Sequence, residues 1–340
     1  MEKKGAMSEV FTYIFAIFAG VIILTFLVYF AMQHMGTQLT IEVRRLAFSF
    51  DDTLLALSSM GQTVMPYTFG TTARIMLTPG KITVFSGGKN YTHSTESVIY
   101  SPKYLIGKEI GIMSNRFNLP FPITNFYYLT NSKYGYYILY DDEMEDYVIG
   151  GRNPIKDELP KKDNNFKIYI NELSEFNINI PSSFKKINFV IFTQNFESRK
   201  IPKSEIEEKF PKSNIILIKP SDKDPDFGEI EFNGEKSLYF GRAMLFGAIF
   251  ASDFDQYSYS LKKSAEKAIK VIDIYLDKTN FLSCEPHGTT IYSSIKGGLN
   301  SLKDLLSDPE NINIEELIEN MKELTDANRE VSALDCPEVF

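Results

Sequence analysis

Val10–Met32, VFTYIFAIFAGVIILTFLVYFAM, is the stretch that decides the architecture, because its twenty-three residues include no charged side chain. At helical rise they reach about 34 Å, enough to cross a hydrocarbon core of roughly 30 Å. Gln33 and His34 end the run. A cleavable secretory signal has an apolar stretch of only about 7–15 residues and a small-x-small site after it, and neither is present. A buried core helix is the competing reading, but the uninterrupted length favours a membrane helix. The expected partner of Val10–Met32 is therefore a lipid bilayer, and the expected placement is single-pass.

Working outward, Lys3 and Lys4 on one flank balance Arg44 and Arg45 on the other. The basic-residue count is a tie. The closeness of Lys3 and Lys4 and the short tail before the apolar run favour a cytoplasmic N-terminus and a large domain outside. Asn90-Tyr91-Thr92 is an N-glycosylation sequon, making Asn90 a candidate acceptor, which agrees with that orientation.

Composition fits a folded head: 44% hydrophobic and 24% charged residues, with 27 Phe, 19 Tyr and no Trp. The net charge of −8 is unevenly spread, since Asp308–Phe340 holds ten acidic residues against only Lys322 and Arg329. Nothing resembles a basic stripe that would neutralise phosphates, so nucleic acid is not an expected partner.

Lys3-Lys4-Gly5-Ala6-Met7-Ser8-Glu9 leads directly into the apolar run. This beginning resembles that of archaeal type IV pilin-like proteins with class III signal peptides. The resemblance covers about thirty-five residues and implies cleavage after Gly5, a new N-terminus at Ala6, and an apolar segment kept as an assembly helix. Ser8 matches a recurrent serine of that family and Glu9 its acid, although Glu9 stands fourth after the cut, where the acid is usually fifth, and Ala6 replaces a common Gln. Other envelope or pilin-like subunits are the partners this implies.

Beyond the expected anchor at 1–35, the residues Leu39, Val43, Leu46, Phe50, Leu54 and Leu57 recur every three or four positions. That spacing predicts an amphipathic helix over 36–60 with one face on a globular head and Arg44, Arg45, Asp51 and Asp52 facing elsewhere. The interval 61–150 reads as β-rich. Ala73–Leu77 and Lys81–Phe85 flank Thr78-Pro79-Gly80 as a hairpin, with further strands at Ser97–Tyr100, Ile123–Leu129 and Tyr136–Tyr140. The run Asp141–Asp163 is the expected boundary. From 164 to 242 an α/β region follows, in which Ile187–Thr193, Ser204–Phe210 and Asn214–Ile218 have the rhythm of a βαβ unit, extended by Glu229–Phe232 and Ser237–Phe240. The C-terminal region 243–340 reads as helical: a stripe from Phe254 to Tyr275, a shorter helix over Ile291–Leu306, and another from an Asp308-Pro309 start to Val331. The fold class expected is one transmembrane helix followed by an α+β or α/β domain with a C-terminal helical bundle.

Motifs for chemistry are absent. The sequence contains no His-Glu-x-x-His, Gly-x-Ser-x-Gly, Walker A or Cys-x-x-Cys pattern. Ser86-Gly87-Gly88-Lys89 lacks the flanking residues of a phosphate loop, and Thr193–Ser198 has no glycine, so no nucleotide cofactor is expected. Cys284 and Cys336 admit a disulfide, free thiols, or a metal site completed by His287 and Asp335; the disulfide is preferred for an exported domain. Asp222, Asp224 and Asp226 alternate as in calcium loops, but Phe227 and Asn233 occupy the positions that need Gly and Glu, which favours a solvated loop. The acidic run Asp141–Asp146 likewise reads as a solvated face. No catalytic, metal or cofactor residue is assigned. A structural or interaction protein of the cell envelope is the leading expectation; a membrane-tethered binding module or enzyme is the alternative, with its site expected at the carboxyl ends of the parallel strands or between the two sheet regions.

Overall fold

The computed structural model describes residues 3–160, 164–175, 180, 183–197, 202–285 and 289–340, with side chains from residue 11 onward. Helix α1, Lys3–Leu57, is a single unbroken helix of 55 residues. The sequence reading divided it near residue 35, where polarity changes. No proline interrupts the change of polarity, and Gly36 alone costs a helix only about 1 kcal/mol. The first part, Phe11 to Met32, exposes apolar side chains around its circumference. Thr25 turns its hydroxyl back onto the Val21 carbonyl at 2.8 Å, so its polar group is satisfied within the helix. The second part is amphipathic, burying Val43, Ala47, Phe50, Leu54 and Leu57.

The strands that receive this face are β1 (Thr63–Thr78), β2 (Lys81–Ser86), β3 (Lys89–Ser94), β4 (Val98–Tyr100), β5 (Tyr104–Asn118) and β6 (Pro122–Thr130). They form one sheet in the order β3-β2-β1-β5-β6-β4, antiparallel except for the β4–β6 pair. A register shift between Thr68 and Ala73 breaks the β1–β5 ladder. The expected β1–β2 hairpin forms, but β1 starts ten residues earlier than expected. Both β3 and β5 escape the sequence reading. The first is a polar edge strand, KNYTHS, and the second is interrupted by Gly107 and Gly111, so neither shows an apolar run.

The second sheet contains β7 (Tyr134–Tyr140), β8 (Lys167–Glu172), β9 (Lys186–Phe192), β10 (Asn214–Pro220), β11 (Phe227–Phe232) and β12 (Glu235–Phe240). Its order is β12-β11-β10-β9-β7-β8, with β8, β7, β9 and β10 mutually parallel. Helix α3, Lys203–Lys209, makes the β9-to-β10 crossover, so the βαβ reading holds. One placement needs correction. Tyr134–Tyr140 lies in the interior of this second sheet, so the chain passes between sheets at Asn131–Lys133, before the acidic run. Tyr127, Tyr128 and Tyr136 share one continuous core, which hides that passage from periodicity.

Alternation along the strands gives the second sheet two apolar faces. Tyr136, Ile138, Val190, Phe192, Ile216 and Ile218 join the main core, while Leu139, Phe189, Ile191 and Leu217 pack on Ile206 of α3. Between the two sheets runs α4, Arg242–Phe250, whose residues from Ala243 to Phe250 are all buried. A helix apolar all round has no stripe to read, which is why the sequence did not separate it. Gly247 is required there because a Cβ would overlap the ring of Tyr100. Asn188 and Asn214 of the second sheet donate to Ile249, Ala251 and Ser252 carbonyls, satisfying the C-terminal end of α4.

Apart from α2, the single turn Ile155–Glu158 between β7 and β8, the remaining helices, α5 (Phe254–Phe281), α6 (Ser293–Leu306) and α7 (Ile314–Ala333), form the expected C-terminal group. The start of α7 is Asn313, whose side chain accepts from the amides of Glu315 and Glu316, and not Asp308-Pro309.

The aromatic core predicts alkaline sensitivity. Burial pushes the phenols of Tyr127, Tyr134 and Tyr137 up to about 12 from 10.0, helped by Asp51 near Tyr127 and Tyr169 near Tyr137. The folded state holds these protons more tightly than the unfolded chain, so the stabilisation is complete below pH 10 and is lost as pH rises towards 12. Absorbance titration of tyrosinate should show a cooperative step in that window, coincident with unfolding followed by circular dichroism. Independent ionisation of all tyrosines near pH 10 would contradict it.

Candidate functional site

Three features position polar chemistry, and the first is the seat of α1 on the head. Asp51 projects from the buried face of α1, 8% exposed, and accepts from His93 Nε2 at 3.0 Å and Thr95 Oγ1 at 2.6 Å. The Thr95 carbonyl in turn accepts from Lys263 Nζ of α5 at 2.9 Å. One chain of polar contacts thus joins α1, β3 and α5. Phe48 stacks beside His93, and Arg44 lies over the rings of Phe48 and Tyr91 at 5.5 and 5.7 Å. The sequence reading placed Arg44 and Asp51 off the apolar stripe; it missed that Asp51 is enclosed, because the partner lies 42 residues away. Removing this carboxylate leaves two partly buried donors without an acceptor. Asp51→Ala should therefore lower stability by about 2–3 kcal/mol, read by thermal unfolding of detergent-solubilised protein; a change within error would mean that the clamp holds nothing.

The second feature is a crevice of about 380 Å³ at the junction of the sheets, lined in part by Asn115, Arg116, Asn153, Asp224 and Arg242. Arg242 opens α4 and donates to Asp226 at 2.9 Å, to the Asn153 carbonyl at 2.9 Å, and to Glu158. Burial works against its charge, but Glu158 and Asp226 more than offset this and raise its pKa. Burial also raises the Asp224 carboxyl above its usual range. Asp226 is therefore no part of a freely solvated loop, as the alternating aspartates implied. The arrangement is a neutralised hub that ties α4 to the β10–β11 loop and to the segment between β7 and β8; its charged groups are largely spent on one another.

The third feature is topological. The connections from β7 and from β9 leave towards opposite faces of the parallel strands, which makes the gap between them a switch point where α/β sheets bind ligands. Asp141 follows β7 there and Thr193 follows β9, with the Asp141 amide on the Phe192 carbonyl. Asp141 Oδ1 is enclosed without a hydrogen-bond partner among the described residues, so the acidic run is not solvated throughout. Among the described residues no group of three or more His, Cys, Asp or Glu side chains is arranged to hold a metal ion.

The other sequence candidates are dispersed. Cys284 and Cys336 are joined as a disulfide, with Cα atoms 5.5 Å apart; His287 of the metal alternative lies outside the described residues. Asn90 is exposed on edge strand β3. Gly5, Ala6 and Glu9 fall within the helical backbone of α1, and their side chains lie outside the described residues. Comparison with protein families, curated proteins and solved structures finds no match. What remains as the class of protein is a chain with, among the described residues, one helix long and apolar enough to cross a membrane, near its N-terminus, joined to a two-sheet head with C-terminal helices.

Proposed function

We propose that this protein is a membrane-anchored structural or interaction protein of the cell envelope, its head on the extracytoplasmic side, in the manner of a minor pilin-like subunit. The observation that carries the reading is the continuity of α1. The same helix is apolar and exposed over Phe11–Met32 and seated on a sheet over Val43–Leu57, so anchor and head are mechanically one piece. Such a helix can transmit force or position from a membrane or a helical assembly directly to the head. The Cys284–Cys336 bond and the exposed Asn90 sequon agree with an oxidising exterior. The Lys3–Glu9 pattern supports processing after Gly5.

Intact-mass and N-terminal peptide analysis of membrane-extracted protein tests it. A chain beginning at Ala6 supports the pilin-like version, whereas one beginning at Met1 removes processing and leaves a permanent anchor. Protease protection in oriented membrane vesicles tests the side: digestion of the head only after the vesicles' cytoplasmic face is exposed would overturn the extracytoplasmic placement. A second reading, a tethered ligand-binding module, is favoured by the switch point beside Asp141.

A further inference from the structure

The β2–β3 hairpin closes through two glycines, Gly87 and Gly88, both with positive φ, at +56° and +76°. This is the tight two-residue turn that suits the twist of paired strands, and only glycine adopts both conformations without strain. The turn ends against α1: the nearest neighbour of a Cβ built on Gly87 would be Leu39 Cδ2, at 3.1 Å. Leu39 lies seven residues past Met32, which is about 10 Å along the helix, while the polar layer of a bilayer extends about 5–8 Å beyond its hydrocarbon. The hairpin tip therefore lies level with the outer margin of the headgroups. From there β3 climbs away alongside α1, for Tyr91 neighbours Arg44 and His93 neighbours Asp51.

Charge at this level differs from that of the protein as a whole. Lys89 is exposed at the tip, Lys108 is exposed where β5 passes the same end of the sheet, next to the Gly107–Ala73 pair, and Arg45 is exposed about 9 Å farther along α1, its stem inclined back towards the helix N-terminus. The acids nearby are Glu42 on α1 and Glu109, which accepts from Asn165. A basic rim around a rigid turn, on a chain of net charge −8, faces the layer where phosphates stand.

The geometry points to a second membrane contact, resting on the membrane reading above: the tip Ser86–Lys89, with Lys108 beside it and Arg45 reaching towards it, docks on phosphate headgroups of the bilayer that α1 crosses. This fixes the tilt of the head, since a single spanning helix is free to tilt as a rigid body in the bilayer, and the tip braces it. The occupant is the lipid surface because the hairpin is continuous with the spanning segment through Leu39.

The chain has no tryptophan, so single tryptophans report position without background. Asn90 and Ser94 are both exposed and lie on the face of β3 turned away from α1, about 13 Å apart along the strand. Full-length Asn90→Trp and Ser94→Trp proteins are reconstituted in vesicles of anionic phospholipid, with and without a nitroxide quencher attached to the lipid headgroup, and checked by vesicle flotation. The expected result is that the headgroup quencher removes about half of the Asn90→Trp emission and leaves Ser94→Trp unchanged, as for an aromatic ring at the headgroup level. Flotation without quenching at position 90 overturns the docking and leaves the anchor intact. Equal quenching at both positions also overturns it, because the head would then lie on its side. Failure to float removes the membrane reading and this contact with it. Adding Arg45→Glu and Lys89→Glu should abolish the quenching at position 90; persistence would exclude headgroup phosphate as the ligand.

Discussion

Replacing Val21 and Leu24 together with arginine is expected to move the protein out of the carbonate-resistant membrane fraction. Both side chains lie near the middle of the apolar run and are more than half exposed, at 56% and 62%. A charge at the centre of a membrane helix opposes insertion by roughly 2.5–3.5 kcal/mol on the insertion scale, so two raise the barrier by about 5–7 kcal/mol. Neither residue belongs to the buried core of the head. The head should therefore keep its thermal unfolding midpoint and its disulfide while membrane retention collapses. Unchanged retention would mean that Val10–Met32 does not cross lipid. Loss of both retention and folding would mean instead that the run packs on protein.

The second large effect is expected from the Cys284–Cys336 bond. The bond closes a sequence separation of 52 residues and ties the segment after α5 to the segment after α7. The chain-entropy model gives about 4 kcal/mol for a loop of this size. For a head of this size that corresponds to a fall of roughly 8–16 °C in Tm on reduction, or in a Cys284→Ser/Cys336→Ser variant. The tail has further holds: Lys278 donates to the Val339 carbonyl, Asn328 accepts from the Val339 amide, and Phe340 packs on Phe121 and Tyr275. These keep the tail docked in the reduced native state, so the loss arises mainly from the freer unfolded chain. A reduced protein melting within 2 °C of the oxidised one, below the roughly 8 °C expected, would show that the unfolded ensemble is already restricted.

The arginine at position 242 shows where local reading stops. Its sequence neighbours, Gly241 and Ala243, say nothing of ion pairing, yet it joins Asp226 and Glu158 from two separate loops. Asp51 is similar. The spacing set it apart from the apolar stripe, whereas it lies on the buried face of α1, and that burial depends on β3, a strand whose polar pattern conceals it. In contrast α5, α6 and α7 were legible because each carries a one-sided stripe, and β9, α3 and β10 because a short apolar run, a polar helix and a second apolar run have few other solutions. The candidate crevice and the switch point were not legible as places, since each is assembled from residues more than fifty positions apart.

By itself the sequence determined the apolar helix, the β-then-α/β-then-helical order and the presence of parallel strands, all of which follow from periods of 3.6 and 2 repeated over adjacent residues. Only the tertiary structure decided that α1 runs unbroken from the apolar run into the head, that Tyr134–Tyr140 belongs to the second sheet, and that α4 fills the space between the sheets. Periodicity records which face of an element is apolar, whereas the choice of neighbour is made by packing between distant segments, where shape and hydrogen-bond satisfaction select among faces that look alike in sequence.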